Sequence, residues 1–242
     1  MAFQTVFKRY ELKYMLTAAQ KAAVLQAMES RMALDKYGRT TIRNIYFDTA
    51  DYRLIRRSIE KPAYKEKLRL RSYAQATRES IVFVELKKKY DDVVYKRRID
   101  LGYREAVDWL CQEKPDPVDT QITREIQYFL DFYGALQPQV FLAYDREAYY
   151  DLQGSDFRVT FDENILCRQT DVSLSSLVYG EGILPAGMTL MELKCSGGIP
   201  LWMVKVLSQE KIYKTSFSKY GTAYEQLIFS HSMKQKEHIN HG

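Results

Sequence analysis

Hydrophobic and polar residues alternate along many short segments of this chain, which is the pattern of half-buried β-strands. In residues 67–71 the two leucines share one face of the predicted strand and the three cations share the other, because strand side chains alternate in direction. Eight such segments are predicted: 5–14, 40–48, 64–74, 80–89, 93–101, 139–150, 156–162 and 188–195. Since most are linked as hairpins without intervening helices, they indicate an antiparallel sheet.

Helical patterns flank and separate these strands. Thr17 is the predicted N-cap of a helix over Ala18 to Met32, and a helix over Thr120 to Tyr133 is predicted to end at Gly134. A short helix or turn is predicted near 51–58, a helix at 103–110 and one helical turn within 170–182. One or two helices are predicted after Ile199, the last beginning near Ser218. The predicted fold is α+β: about eight antiparallel strands that form a barrel or a curled sheet, with helices at the ends and between the halves.

Charged residues recur on one face of the predicted strands. The unit Glu-Leu-Lys appears at 11–13, 85–87 and 192–194, and Lys96 and Arg98 share a face, as do Arg158, Thr160 and Asp162. An ordinary sheet with one solvated face would explain any single strand. A solvated face usually mixes uncharged and charged residues, whereas arginine and lysine dominate here. A closed barrel offers an alternative, because its apolar side can pack outward while the charged side lines the lumen.

A lumen rich in arginine and lysine needs an anion to balance it. Guanidinium groups match phosphate oxygens in bidentate fashion, so ranks of cations suit a chain of phosphates. The few carboxylates on the same faces are hard oxygen ligands for Mg²⁺ or Mn²⁺, and these candidates are Glu11, Glu85 and Glu192. A metal ion bridging phosphates would neutralise the charge that develops during phosphoryl transfer.

Composition further narrows the classes of protein to which this chain could belong. The 242 residues carry a formal net charge of +5 and three scattered cysteines, so neither a zinc site nor a disulfide framework is indicated. Neither an apolar signal region nor an apolar run of about 20 residues is seen, so we expect a cytoplasmic protein. The three histidines lie in the tail, and the sequence has no P-loop. We expect one tunnel domain over 1–230 and a flexible tail over 231–242.

Several short motifs follow one another along the chain. They are 9–14 (RYELKY), 46–49 (YFDT), 67–73 (KLRLRSY), 85–87 (ELK), 144–146 (YDR), 157–162 (FRVTFD), 192–194 (ELK) and 218–220 (SKY). Each motif is weak by itself, but the ordered set, which extends from about residue 5 to about residue 228, is specific. It resembles the VTC (vacuolar transporter chaperone) domain, the polyphosphate polymerase branch of the CYTH-like triphosphate tunnel metalloenzymes.

The resemblance implies an eight-stranded antiparallel β-barrel, or tunnel, with flanking helices and a C-terminal helix. It also implies an enzyme that transfers the γ-phosphate of ATP to a growing polyphosphate chain with Mn²⁺ or Mg²⁺. The residues implied as catalytic are Lys13, Arg69, Arg71, Lys87, Arg146 and Lys219. Those implied to bind phosphate are Lys96, Arg98, Arg158, Lys194, Ser218 and Tyr220, with Lys219 and Ser218 at the start of the C-terminal helix. Glu192 is implied as the main metal ligand, with Glu11 and Glu85 as second choices.

Two other functions stay open on the same residues. Many tunnel hydrolases open with Glu-x-Glu-x-Lys, and Arg9 replaces the first glutamate here, which favours transfer over hydrolysis. A triphosphatase or nucleotide cyclase remains an alternative, as does a non-catalytic polyanion-binding module. Nucleic acid is not expected, because the tyrosines mostly fall off the cationic faces. The oligomeric state also stays open. Because no membrane segment is predicted in this chain, a separate membrane partner protein is a further open possibility.

Overall fold

The computed structural model describes residues 10–91, 93–112, 114 and 118–229 of the chain. Its strands are β1 (Tyr10–Leu16), β2 (Met32–Leu34), β3 (Thr40–Asp48), β4 (Tyr64–Ser72), β5 (Ile81–Tyr90), β6 (Val93–Gly102), β7 (Gln137–Asp151), β8 (Arg158–Arg168), β9 (Glu181–Gly182), β10 (Thr189–Cys195) and β11 (Lys214–Thr215). Its helices are α1 (Ala18–Met28), α2 (Arg53–Ile59), α3 (Tyr103–Gln112), α4 (Gln121–Tyr133), α5 (Leu201–Gln209) and α6 (Lys219–Ala223), the last followed by a π-helical segment, Tyr224–Phe229.

The strands form an antiparallel sheet in the order β11-β1-β10-β8-β7-β3-β4-β5-β6, with β2 on β7 and β9 on β8. Each of the eight predicted segments overlaps one of the strands of seven residues or more, so the antiparallel sheet with flanking helices is confirmed. The closed eight-stranded barrel is not confirmed. The sheet has eleven strands, and its path through the described residues has two ends, β11 and β6.

Several boundaries differ from those predicted, and tertiary pairing explains two of them. Helix α1 ends at Met28 instead of Met32, because Met32 begins β2 and pairs with Asp151 of β7. Strand β8 continues to Arg168 because Leu166 and Cys167 pair with β9. The loop before β9 contains turns instead of the predicted helical turn.

The predicted caps are found where the sequence places them. Thr17 forms a reciprocal capping box with Gln20, and Thr120 forms one with Thr123. Gly134 ends α4 with a φ of 69°, a conformation that glycine adopts without the steric cost of a Cβ. Some predictions fall outside the described residues. They concern residues 5–9, which include Arg9, the three histidines and the tail 231–242.

The chain divides into two compact units. The first contains the described residues up to Thr41 together with Tyr144–Ile165 and Leu184–Phe217. The second contains Ile42–Ala143, Leu166–Ile183 and the described residues from Ser218 onward. The single tunnel domain over 1–230 stays a prediction.

Each unit has its own hydrophobic core. In the first, Val24 and Met28 of α1 and Met203 of α5 pack against Met191 and Leu193 of β10. In the second, the core joins one face of β4 and β5 to α3 and α4; it includes Leu68, Leu70, Val84, Leu86, Trp109 and Phe129. Because side chains alternate along a strand, packing one face against helices directs the charged residues of these strands to the opposite face.

Among the described residues, none of the helices combines the length and the apolar character that crossing a membrane requires.

Candidate phosphate-binding site

The charge of the first unit is concentrated on adjacent strands that are distant in sequence. Residues that pair directly across neighbouring strands form a row, here called a rung. Two neighbouring rungs across β1, β10 and β8 are Lys13–Glu192–Thr160 and Glu11–Lys194–Arg158. Glu192 is 5% exposed, and the cations around it are Lys194 Nζ at 3.2 Å, Arg146 Nη2 at 3.4 Å and Lys13 Nζ at 3.7 Å. Directly paired residues share one face of a sheet, so these side chains converge on Glu192.

Asp162 fixes the position of Arg146. The guanidinium donates from Nε and Nη2 to the two oxygens of Asp162, both at 2.6 Å, and Asp162 is fully buried. Bidentate pairs of this kind specify the plane and direction of the guanidinium. Lys13 is held from its other side, because its Nζ donates to the carbonyl oxygen of Phe217 at 2.8 Å and lies 3.5 Å from Glu11. Arg146 and Lys13 are therefore held in place by groups other than Glu192.

A hydroxyl beside Glu192 lacks a hydrogen-bond partner. Thr160 Oγ1 is buried, and within the part of the chain that the structure describes no group bonds to it. Thr160 pairs directly with Glu192 across β8 and β10. A buried hydroxyl without a partner costs about 1–3 kcal/mol, so an orphaned one in this position points to a ligand that would satisfy it.

Glu192 and Thr160 together fit a divalent cation held jointly with phosphate. Mg²⁺ keeps hard oxygen ligands and is usually bound by one or two carboxylates plus substrate phosphates, not by a complete protein cage. The described residues contain no group of three His, Cys, Asp or Glu side chains that could hold a metal ion alone. The nearby Asp162 is less suited, since both of its oxygens accept from Arg146.

The second unit builds another cluster around Glu85, which is 1% exposed. Four cations contact its carboxylate: Arg69 Nη2 at 2.6 Å, Lys96 Nζ at 2.7 Å, Arg98 Nε at 3.7 Å and Arg71 Nη1 at 3.9 Å. The pairing of β4, β5 and β6 explains this convergence, because Glu85 lies directly between Arg69 and Arg98. Arg71 is also held by Asn44, whose Oδ1 accepts from its Nε at 2.9 Å.

The electrostatics of Glu85 favour the ionised form of its carboxyl group. Burial by itself raises the pKa of a carboxyl group, but Arg69, Arg71 and Lys96 outweigh burial and hold the pKa of Glu85 well below its usual value. Arg69 and Lys96 lie within 2.7 Å of the Glu85 oxygens, whereas the three cations named around Glu192 lie 3.2 Å or more away. A divalent ion would have to displace the two close cations at Glu85, so the donor set there fits a metal less well than that of Glu192. The metal role of Glu85 stays a prediction that this geometry does not favour.

The three residues of the predicted Ser218-Lys219-Tyr220 motif have different surroundings. Ser218 caps α6, accepting from Gly221 N at 3.2 Å, and its Oγ accepts from Lys67 Nζ at 3.0 Å. Lys219 is 9% exposed. Tyr220 is buried, stacks on Tyr46 with ring centroids 4.6 Å apart, and donates its hydroxyl to Asp48 Oδ2 at 2.9 Å.

Asp48 anchors two helices at once. Its carboxylate accepts from the amides of Thr49, Leu54 and Ile55 near the start of α2 as well as from the Tyr220 hydroxyl of α6. Burial raises the pKa of the Asp48 carboxyl, and these donors offset part of that rise. Tyr220 therefore helps to hold α6 in place through a buried hydrogen bond, and the phosphate contact that the motif implied for it stays a prediction.

We expect Tyr220→Phe to lower the free energy of unfolding by about 2 kcal/mol, the usual range for a hydrogen bond to a charged group. The substitution leaves the ring stack on Tyr46 in place and removes only the donor to Asp48. Urea denaturation measures the change, with Tyr213→Phe as the control, because Tyr213 is 77% exposed. An unchanged stability for Tyr220→Phe would contradict the anchoring role.

The structure thus brings most of the predicted residues into two clusters. Glu11, Lys13, Arg146, Glu192 and Lys194 meet in the first unit, where Arg158 pairs with Lys194. In the second, Arg69, Arg71, Lys96 and Arg98 meet at Glu85, Lys87 pairs with Lys67 and Lys96, and Ser218 contacts Lys67.

Sequence reasoning missed Asp48, Thr160 and Asp162 as site residues. The strand pattern placed Thr160 and Asp162 on the charged face with Arg158 but assigned neither a role in the site. The function of Asp48 had no local signal, because its partner Tyr220 lies 172 residues away.

Comparison with known structures supports the fold. A Bacillus halodurans protein provisionally named an adenylate cyclase superposes with a TM-score of 0.54 at 14% identity, covering 88% of this chain and 94% of that chain. A Vibrio parahaemolyticus protein of the same provisional name gives a TM-score of 0.46 at 12% identity, covering 90% and 98%. At such identities the first similarity shows a shared fold alone, and the second, like the Mimivirus capping enzyme triphosphatase at 0.35, carries no argument.

No curated protein matches this chain. The family profile of the VTC domain, in contrast, matches residues 8–228, which is nearly the whole chain and includes every strand and helix of both charged clusters. The ordered motifs and the family profile agree with each other and with the antiparallel fold. This chain therefore belongs to the VTC domain family.

Proposed function

We propose that this protein is an ATP-dependent polyphosphate polymerase, which transfers the γ-phosphate of ATP to the end of a growing polyphosphate chain and releases ADP. Membership of the VTC domain family supports the substrate class. The observation that carries the proposal is the group of three cations within 3.7 Å of the buried Glu192, with the orphaned Thr160 hydroxyl directly opposite. The closed eight-stranded tunnel predicted from the sequence is part of the proposal.

In this proposal the cations of the first unit bind and orient the transferred phosphoryl group. Arg146 presents a guanidinium whose direction Asp162 fixes, and Lys13 and Lys194 add positive charge from β1 and β10. Groups fixed before the reaction stabilise charge in the transition state without reorganising. A Mn²⁺ or Mg²⁺ ion held by Glu192 would supply further neutralisation of the developing charge.

The transfer requires only ATP and the acceptor chain as reactants. The bond between the γ-phosphorus and the oxygen that bridges it to the β-phosphate breaks, and a bond forms to a terminal oxygen of the acceptor chain. ADP carries away the electron pair of the broken bond. Arg69, Arg71, Lys96 and Arg98 of the second unit, ordered by Glu85, bind phosphates in this proposal.

Product analysis tests the proposal. The purified protein, incubated with ATP and Mn²⁺, is expected to produce ADP and long polyphosphate, which gel electrophoresis and phosphorus NMR detect. Orthophosphate without polymer would instead identify a triphosphatase, and cyclic nucleotide with pyrophosphate would identify a cyclase. Binding of polyphosphate without any turnover would identify a non-catalytic module, and each of these three results would overturn the proposal.

A further inference from the structure

A buried amide on β3 contacts one of the arginines beside Glu85. Asn44 pairs directly with Arg71 of β4, is fully buried, and accepts from Arg71 Nε through its Oδ1 at 2.9 Å. Its Nδ2 donates to the backbone carbonyl oxygen of Leu142 on β7 at 3.0 Å. Because that carbonyl can only accept a hydrogen bond, it directs the amide nitrogen of Asn44 toward β7 and the amide oxygen toward Arg71. Asn44 therefore holds the guanidinium from a fixed position.

The contact orients Arg71 without neutralising it. A guanidinium is a planar group with five N–H donors, and Asn44 engages the one on Nε. A bond there restricts rotation of the plane, and the plane decides whether the terminal nitrogens can bind an oxyanion in bidentate fashion. A carboxylate in the same place would also orient the guanidinium, but it would offset the positive charge, as Asp162 does for Arg146. A neutral acceptor is therefore suited to an arginine that binds an anion.

The neighbouring rung repeats this arrangement. Tyr46 of β3 pairs directly with Arg69 of β4, and its hydroxyl accepts from Arg69 Nη1 at 3.3 Å. In both rungs β3 thus supplies a neutral acceptor and β4 supplies the cation. The contact of Asn44 is shorter, and its amide is held from the far side as well, so the larger effect is expected there.

We infer that Asn44 is a positioning residue for phosphate binding: it aims the guanidinium of Arg71 at the substrate and preserves its charge. This inference rests on the proposed function, in which Arg71 binds phosphate. Asn44 acts without touching the substrate, because the two ends of its amide are engaged by Arg71 and Leu142. Its contribution to binding therefore depends on Arg71 and is expected to vanish when Arg71 is replaced.

A double-mutant cycle measures this dependence. Asn44→Leu keeps the approximate size of the side chain and removes both hydrogen bonds, and calorimetry gives its affinity for tripolyphosphate in the wild-type and the Arg71→Gln backgrounds. We expect binding to weaken about tenfold in the wild-type background and less than about twofold in Arg71→Gln. Asn44→Asp, which keeps the shape but offsets the charge of Arg71, is also expected to weaken binding about tenfold. Asn44→Ser takes the place of Asn44→Leu in the cycle if the leucine variant does not fold.

Gln139→Leu is the matched control. Gln139 is 9% exposed, and its Nε2 donates to the backbone carbonyl oxygen of Thr49 at 2.8 Å, so this change also removes a buried amide that bonds to a carbonyl. Gln139 shares its strand parity with Phe141, which lies in the hydrophobic core of the second unit, and so points away from the charged face. Tripolyphosphate binding is expected to stay within about twofold of wild type. A loss as large as that of Asn44→Leu would show that general destabilisation causes both effects and would overturn the inference.

The outcomes separate this inference from the proposed function. If wild type does not bind tripolyphosphate, the proposed function fails and the positioning role fails with it. If wild type binds but Asn44→Leu has no effect, or weakens binding equally in both backgrounds, only the positioning role is wrong. Wild-type affinity in Asn44→Asp would refute the requirement for a neutral acceptor, and wild-type affinity in Arg71→Gln would remove the group that Asn44 is inferred to position.

Discussion

Glu192→Gln is expected to reduce polyphosphate synthesis at least about a hundredfold, the range seen when one preorganised transition-state contact is removed. The substitution keeps the shape of a side chain that is 5% exposed and removes the negative charge shared by Lys13, Arg146 and Lys194. If Glu192 holds the divalent ion with the substrate phosphates, the substitution lowers kcat and raises the Mn²⁺ concentration needed for half-maximal rate.

The control for this variant is Glu147→Gln in the same unit. Glu147 lies on β7 next to Arg146 but on the other face, where Lys21 Nζ donates to its Oε2 at 3.2 Å. This change also removes one carboxylate charge from the first unit, and synthesis is expected to stay within about twofold of wild type, as for surface substitutions generally. A Glu192→Gln protein that is folded and polymerises ATP at the wild-type rate would eliminate Glu192 as a catalytic residue.

Glu85→Gln is expected to have the largest effect on stability. Removing one partner of a buried ion pair costs about 3–5 kcal/mol, and partial exposure of Arg69, Lys96 and Arg98 reduces this to about 2–4 kcal/mol. For a chain of this length the melting temperature is expected to fall by about 5–12 °C. Calorimetry measures the change, and Glu79→Gln, an exposed position in the same unit, serves as the control.

Anion binding separates the ordering role of Glu85 from a metal-binding role. Tripolyphosphate is expected to raise the melting temperature of Glu85→Gln more than that of wild type, because the anion replaces the missing counter-charge among the cations. If Glu85 were instead a metal ligand, the variant without metal would be as stable as wild type. In that case Mn²⁺ would stabilise wild type alone, and the ordering role would be wrong.

The pH dependence of stability provides a second measurement on Glu85. Its pKa is lowered in the folded protein, so the unfolded chain binds the proton more readily than the folded one. The stabilisation is therefore fully present above the unfolded value of about 4.5 and is lost as the pH falls below it. Wild type is expected to lose stability between pH 5 and pH 3 more steeply than Glu85→Gln does.

Local patterns in the sequence were sufficient to predict the eight longer strands, three helix caps and the charged faces, but not the short strands β2, β9 and β11. Thr17, Thr120 and Gly134 act through hydrogen bonds and backbone angles within a few residues, so their roles do not depend on the rest of the fold. The end of α1 at Met28 was not predictable in this way, because the pairing of Met32 with Asp151 of β7 decides it.

The sequence by itself determined which residues share a strand face, because the direction of side chains alternates with every residue of an extended chain. It therefore identified Lys13, Glu192, Arg69 and Glu85 as members of charged faces. Only the tertiary structure decided which carboxylate meets which cations. Strand order places β1 beside β10, which joins residues far apart in sequence, whereas β4, β5 and β6 are consecutive strands. A long-range contact leaves no periodic trace in either segment, and for that reason the cations around Glu192 and the buried partner of Tyr220 emerged only from the fold.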